Sequence, residues 1–311
     1  MVPPEPSQSV FMPASAGAGA ISDLSMLMIA GATLLLLVVM VLLVRGAVTG
    51  PAPLKPLRWL IGGGLVLPVT VLTLLLVHSL RISSALAHDP QMHGVDVQVI
   101  ARRWWWEFRY RHPDGSEPIV LANELHLPLD RTAVLSLASH DVIHSFWVPA
   151  LAGKVDAVPG VMTQLVVHAT QPGRVRGQCA EYCGTQHSNM GLEVVVETPE
   201  QFQAWLLHQA EPAIEPADAS ARRGQQVFLA GGCATCHTIR GTAAAGALGP
   251  DLTHVASRRR LAAATLDNDS GSLIAWVHDA QHLKPGNLMP SMPITNVEDA
   301  RALAAYLGSL R

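Results

Sequence analysis

The chain is 311 residues long with a formal net charge of −3, and 14% of its residues are charged against 49% that are hydrophobic. That length leaves room for about two domains. The charge is too small to argue for a nucleic-acid partner, and a mean hydropathy of +0.28 is too apolar for a wholly soluble protein.

Residues 1–22 are rich in Pro, Ser, Ala and Gly and start without Lys or Arg. They lack the basic start of a secretory signal, so an exposed N-terminal arm is expected over 1–22. An uncharged apolar run from Leu24 to Val44 ends at Arg45, and a second from Trp59 to Leu80, broken by Pro68 and His78, ends at Arg81. Each is near the roughly 20 residues that a helix needs to cross a bilayer, which predicts a transmembrane hairpin over 23–81. Arg45, Lys55 and Arg58 lie between the runs without an acid, so the turn is cytoplasmic and both termini face outward. Pro68 should loosen the second helix locally, a defect that a spanning helix tolerates.

Residues 95–197 read as strands. Val95–Ile100, Ala133–Leu137, Gln164–His168 and Gly191–Glu197 are β-branched and partly alternating, with turn signals at Pro113-Asp-Gly115, Pro159-Gly160 and Pro172-Gly173. Many short strands at regular spacing imply a sandwich or barrel. The aromatic run Trp104-Trp-Trp-Glu-Phe-Arg-Tyr110 fits the core of such a domain.

Within Cys179-Ala-Glu-Tyr-Cys-Gly-Thr-Gln-His-Ser-Asn-Met190 the residues Cys179, Cys183, His187 and Met190 supply thiolate, imidazole and thioether, ligands that suit copper. A single blue-copper ion takes one thiolate, so two thiolates are one too many, but they can bridge two ions. The loop holds one His. The best candidate for a second is His144 in Asp141-Val-Ile-His-Ser-Phe-Trp-Val-Pro149. A disulfide between the two cysteines would explain none of the other three residues.

Thr198 followed by Pro199 is a helix start, with Phe202, Trp205 and Leu206 on one face of a helix over 199–210. Residues 211–217 have the Pro, Ala and acid content of a semi-rigid linker. Beyond it, Cys233-Ala-Thr-Cys236-His237 is the c-type haem attachment pattern, in which two thioethers fix the porphyrin and the His supplies the proximal nitrogen.

The Asp141–Pro149 segment and the Cys179–Met190 loop together resemble subunit II of the haem–copper cytochrome c oxidases. In that family a Cys-x-Glu-x-Cys-Gly-x-x-His-x-x-Met loop and an upstream Asp-Val-x-His-Ser strand bind the binuclear CuA centre. The resemblance implies His144, Cys179, Cys183, His187, Met190 and the backbone carbonyl of Glu181 as copper ligands. It places them on a cupredoxin-like Greek-key sandwich over 82–210, preceded by a helical hairpin. Trp104 would match a family Trp above the copper that accepts electrons from cytochrome c. Lys154-Val-Asp-Ala-Val-Pro-Gly160 matches a segment that faces subunit I, and the Glu181 carboxylate would reach a Mg²⁺ ion shared with that subunit. One departure stands out: where the family often has a Glu after the second helix, Ser83–Pro90 has His88 and Asp89, which makes Asp89 the proton-uptake candidate.

Residues 218–311 are similar to class I cytochromes c, an all-α fold. Ala221–Phe228 looks like their first helix, and Gly249-Pro-Asp-Leu252 like the loop whose carbonyl, here on Pro250, bonds the proximal His237. Lys284-Pro-Gly-Asn-Leu-Met-Pro290 resembles their distal loop, so Met289 is the expected sixth ligand, with Met292 the alternative; His254, His278 and His282 are more simply surface or packing residues. A hairpin, a CuA sandwich and a fused cytochrome c resemble subunit II of the caa-type oxidases over nearly the whole chain. The resemblance implies a bacterial cytoplasmic-membrane subunit with both redox domains on the outer side. Electrons would pass from a cytochrome c or a quinol–cytochrome c reductase through covalently bound haem c to CuA, and on to the haem of subunit I, where oxygen is reduced. Subunit I and other oxidase subunits would be partners. Two alternatives stay open, the corresponding subunit of a nitric oxide or nitrous oxide reductase and a stand-alone membrane-tethered carrier; a copper-delivery protein would have no use for Cys233, Cys236 and His237.

Overall fold

The computed structural model describes residues 7–49, 56–86, 94–112, 114–291 and 296–311. Helix α1 (Ala16–Thr49) starts ahead of the apolar run because Ser15 caps it, its Oγ accepting from the Ala18 amide at 2.9 Å. At 1.5 Å per residue it is about 50 Å long, more than a bilayer core requires. The second helix comes in three parts: α2 (Pro56–Ile61), a π-helical turn (Gly62–Val66) and α3 (Leu67–Leu86). Pro68 lacks an N–H and crowds the carbonyl one turn earlier, and the wider turn through three glycines makes the room. The apolar side chains of Leu34–Val44 and Leu65–Leu74 are not buried by the chain's own contacts, leaving them to a bilayer.

The arm expected to be exposed over 1–22 is instead partly seated on the sandwich. Ala14 donates to Ala150 O at 2.7 Å and accepts from Thr170 N at 2.8 Å, while Ser7 O accepts from Arg176 N at 2.9 Å. Ala14, Ser15, Ala18 and Ser22 are buried. The arm and the sandwich thus pair the backbone groups of Ser7 and Ala14 with those of Ala150, Thr170 and Arg176.

Ten strands follow: β1 (Val95–Arg102), β2 (Trp105–Tyr110), β3 (Ile119–Ala122), β4 (Glu124–Pro128), β5 (Thr132–Ser139), β6 (His144–Trp147), β7 (Val155–Ala157), β8 (Thr163–His168), β9 (Gly173–Cys179) and β10 (Gly191–Glu197). They form two five-stranded sheets, β3-β2-β1-β5-β8 and β4-β10-β9-β6-β7, each with one parallel pair, β1 with β5 and β4 with β10. Period-two burial along β1 sends Val97, Val99 and Ala101 inward, where they meet Trp106, Phe108 and Tyr110 of β2. This is a cupredoxin-like sandwich. Helix α4 (Pro199–Ala210) closes one end with a full capping box between Thr198 and Gln201 and buries Phe202 and Leu206, as the spacing predicts.

The C-terminal domain comprises α5 (Ala219–Ala230), the short hairpin β11 (Arg260–Leu261) and β12 (Leu266–Asp267), α6 (Ser270–His278), α7 (Ala280–Leu283) and α8 (Val297–Ser309). Its core joins Phe228, Leu273, Leu303 and Tyr306, with Phe228 and Tyr306 edge to face at 6.0 Å. The linker is held rather than free: Ala213 N donates to Arg240 O at 2.9 Å, and the Arg240 guanidinium reaches back to Gln209 O at 2.6 Å.

Candidate metal centres

Strand pairing builds the first centre. Phe146 of β6 lies opposite Cys179 of β9, which brings His144 against the loop, and the Cys179 amide donates to Met190 O at 2.9 Å, closing the loop at its base. Cys179 Sγ and Cys183 Sγ are 3.8 Å apart. Cys179 Sγ is 3.8 Å from His144 Nδ1 and 3.2 Å from Glu181 O; Cys183 Sγ is 3.7 Å from His187 Nδ1 and 4.0 Å from Met190 Sδ. All six expected groups therefore converge. Cys179, Cys183, His144 and Met190 are buried, and all four cysteines of the chain are free thiols.

The electrostatics fit a cation between the sulfurs. The contact with Cys183 draws the Cys179 thiol well below its ordinary range, while that same contact and burial push Cys183 up. Two buried thiols this close do not both ionise unless a positive charge lies beside them. His144 is turned so that Nδ1 faces sulfur and Nε2 meets Asp141 Oδ1 at 2.8 Å. Such a carboxylate fixes the tautomer and orientation of a metal-binding imidazole. With two thiolates, two imidazoles, a thioether and a carbonyl, the donor set fits copper.

Trp104 lies at this centre. It is 7% exposed, and its Nε1 donates to Cys183 O at 3.0 Å. The Glu181 carboxylate is exposed and 3.3 Å from Lys154 Nζ. Asp89 and His88 lie outside the described residues, as does Met292.

The second centre sits in the C-terminal domain, where Cys233 opens a short 3-10 turn (Cys233–Thr235) and Cys236 caps its end, just ahead of His237. His237 Nδ1 donates to Pro250 O at 2.8 Å, leaving Nε2 as the free nitrogen. Burial holds the His237 ring below its ordinary pKa, and the Pro250 carbonyl only partly opposes this, so the ring stays neutral as a ligand must. A Cβ on Gly249 would stand 2.6 Å from the ring, so only glycine lets the loop press on it. Met289 packs against the same core as Cys233. Its amide donates to Asn287 Oδ1 at 2.7 Å and its carbonyl accepts from Gln281 Nε2 at 2.7 Å, so the loop is fixed from both sides. His254 is spent on packing, with both ring nitrogens against the carbonyls of Arg311 and Glu211; His278 and His282 are exposed. These residues fit a covalently attached haem c.

A family profile described as cytochrome c oxidase subunit II, periplasmic domain, matches residues 114–198, and one described as cytochrome c matches residues 221–311. Cytochrome c oxidase subunit 2 of Alkalihalophilus pseudofirmus is 35% identical over 251 residues, which span 79% of this chain and 71% of that protein. The chain belongs to the cytochrome c oxidase subunit 2 family. The subunit 2 of Bacillus sp. PS3 is 31% identical over 265 residues, covering 79% of this chain and 72% of its own length. The crystal structure of the periplasmic domain of subunit II of the Bradyrhizobium japonicum oxidase covers 37% of this chain and 93% of that one, at 25% identity and a TM-score of 0.35. As a member of the family, the chain is a membrane-anchored electron-transfer subunit of a haem–copper oxidase and works beside other oxidase subunits.

Three features escaped the sequence reading. Asp141 was visible only as part of a segment, and its orienting bond needs the turn that brings it under His144. Lys284 opens the distal loop yet is 3% exposed; burial pushes its amine down to about 7, with Cys183 opposing. His126 is buried between Glu124 and Glu197, and no local pattern marks it.

Proposed function

We propose that this is the electron-input subunit of a caa-type oxidase in a bacterial cytoplasmic membrane. It would take electrons from an external cytochrome c or a quinol–cytochrome c reductase at haem c, relay them to a binuclear CuA centre and deliver them to subunit I. When bound, the haem and the copper pair supply one-electron carriers. The chain's own residues do the rest. Cys233 and Cys236 would tether the porphyrin, Pro250 orients His237, and Met289 would supply the further iron ligand. Cys179, Cys183, His144, His187, Met190 and the Glu181 carbonyl would hold the copper pair. Burial keeps water from the sulfurs, which limits the solvent rearrangement that accompanies electron transfer. Trp104, bonded to Cys183 O, lies at the boundary between the two domains. The Glu181 carboxylate is left for a Mg²⁺ ion that needs further oxygen ligands from subunit I.

The observation that carries this reading is the convergence of the copper donor set on a loop that also touches the domain bearing Cys233, Cys236 and His237. Metal analysis and EPR of the copper-loaded, haem-matured full chain test it. About two copper atoms for each iron are expected, with one unpaired electron split by two equivalent copper nuclei. A one-nucleus pattern would mean that Cys179 and Cys183 do not bridge.

A further inference from the structure

The haem-bearing domain meets the copper loop through direct contacts as well as through the linker. Gln186 Nε2, beside the loop histidine, donates to Pro285 O at 2.7 Å. The Gly191 amide, just past Met190, donates to Ala263 O at 3.0 Å, and an Arg176 guanidinium nitrogen lies 3.4 Å from Ala264 O. Ala262, Ala263 and Ala264 form the turn between β11 and β12, at φ of 52°, 59° and 60°. Three consecutive alanines in the left-handed region are strained, and such strain persists only where surrounding contacts over-determine it. Ala263 and Ala264 are 1% and 2% exposed, and their carbonyls point into the copper domain. This turn is a built docking element.

Lys284 ties that turn to the copper site. Its Nζ donates to Ala262 O at 3.2 Å and to Trp104 O at 2.9 Å, and Trp104 donates to Cys183 O. A buried amine is unfavourable unless it finds acceptors, and here the two it donates to come one from each domain. The side chain thus bridges the distal loop, the strained turn and the aromatic residue next to the copper thiolate.

We infer that Lys284 is a positioning residue for electron transfer between the two domains. It holds the cytochrome domain in one pose over the copper loop, with Trp104 covered by that pose and closed to an external donor. The inference rests on the electron-input reading. In the step concerned, bound haem c would give up one electron and be oxidised from ferrous to ferric, and the bound copper pair would be reduced by that one electron; no bond or proton would be transferred. Docking, beyond tethering, matters because a misplacement of about 1 Å can cost on the order of a hundredfold in rate.

The test uses the full chain in detergent and the assembled oxidase, comparing wild type with Lys284→Met, Lys284→Arg and Gln186→Leu. Hydrogen exchange across residues 184–191 and 260–266, read with and without metals, reports docking. Single-turnover re-oxidation of flash-reduced haem c reports transfer. Lys284→Met is expected to speed exchange in both segments and to slow transfer by about tenfold or more, with haem and copper spectra unchanged. Lys284→Arg should recover part of both, and Gln186→Leu should loosen the same segments. Wild-type exchange and wild-type transfer in Lys284→Met would overturn the inference. If Lys284→Met does not accumulate, the other two variants decide on the same readouts. If the wild type itself carries both centres but shows no haem-to-copper transfer, the electron-input reading falls, and the exchange data alone judge the latch.

Discussion

A single carboxylate decides how His144 can act. Asp141 Oδ1 takes the Nε2 side of the ring, and the same carboxylate accepts from the amides of Val142 and Arg103, each at 2.7 Å. Burial opposes the charge, but these bonds win and hold the Asp141 carboxyl down at about 2, so it is ionised at any physiological pH. Asp141→Asn keeps the shape and loses the charge that fixes the tautomer. Copper affinity should fall by about 10–100-fold in a chelator competition, with haem content unchanged. Wild-type copper affinity in that variant would mean the ring needs no orienting partner. At the other centre Gly249→Ala places a methyl 2.6 Å from His237 Cε1, so the ring or the loop must move. Reduced haem incorporation or a shifted Soret band is the expected result, read from the absorbance of the matured protein. An unchanged spectrum at full haem content would show that the loop yields instead.

At the scale of elements, the cytochrome domain depends on the crossing of α5 and α8. A Cβ on Gly224 would lie 2.0 Å from Ala302 O and 2.7 Å from Tyr306 Cβ, so the helices touch backbone to backbone. Gly224→Ala forces them apart; overpacking of this kind costs about 1–3 kcal/mol. In a domain this size each kcal/mol moves the midpoint by about 4–8 °C, a shift that haem-region circular dichroism on heating would register. A midpoint equal to wild type would mean the crossing relaxes freely. Elements of this kind were legible where the signal is local. The apolar runs, the Thr198 cap and the fixed spacing of Cys179, Cys183, His187 and Met190 each report on residues within a turn or a loop. What stayed hidden is made by distant pairings: His126 meets Glu197 because β4 runs parallel to β10, and the arm finds Ala150 and Thr170 across the fold. The Ala262–Ala264 turn was unreadable for a related reason, since alanine ordinarily announces helix, whereas here three alanines take a left-handed backbone against the neighbouring domain.

The whole molecule carries a pH dependence in the His126 cluster, which spans the domain boundary. His126 Nδ1 is 2.7 Å from Glu197 of β10 and Nε2 is 3.0 Å from Glu124 on its own strand, with the Trp205 ring of α4 stacked on it at 3.8 Å. Arg174 of β9 and the half-buried Arg258 act on Glu124, and the Arg259 amide of the cytochrome domain donates to Glu124 Oε2 at 3.3 Å. Burial works against the imidazolium, but the two carboxylates raise His126 above its ordinary 6.5; burial likewise opposes ionised Glu124, but His126 and Arg174 lower it below 4.5. The signs follow from linkage. The His126 contribution is complete below 6.5 and is lost as pH climbs through its raised value. The Glu124 contribution is complete above 4.5 and is lost as pH falls through its lowered value. Stability from this cluster should therefore be greatest between 4.5 and 6.5 and decline on the alkaline side. His126→Gln should lower the melting temperature within that window and flatten the alkaline decline. It should also speed exchange at the Arg259 amide, because Glu124 loses the partner that holds it in place. An alkaline slope as steep as wild type would assign the decline to other groups, and slow exchange at Arg259 would separate the cluster from the docking of the two domains.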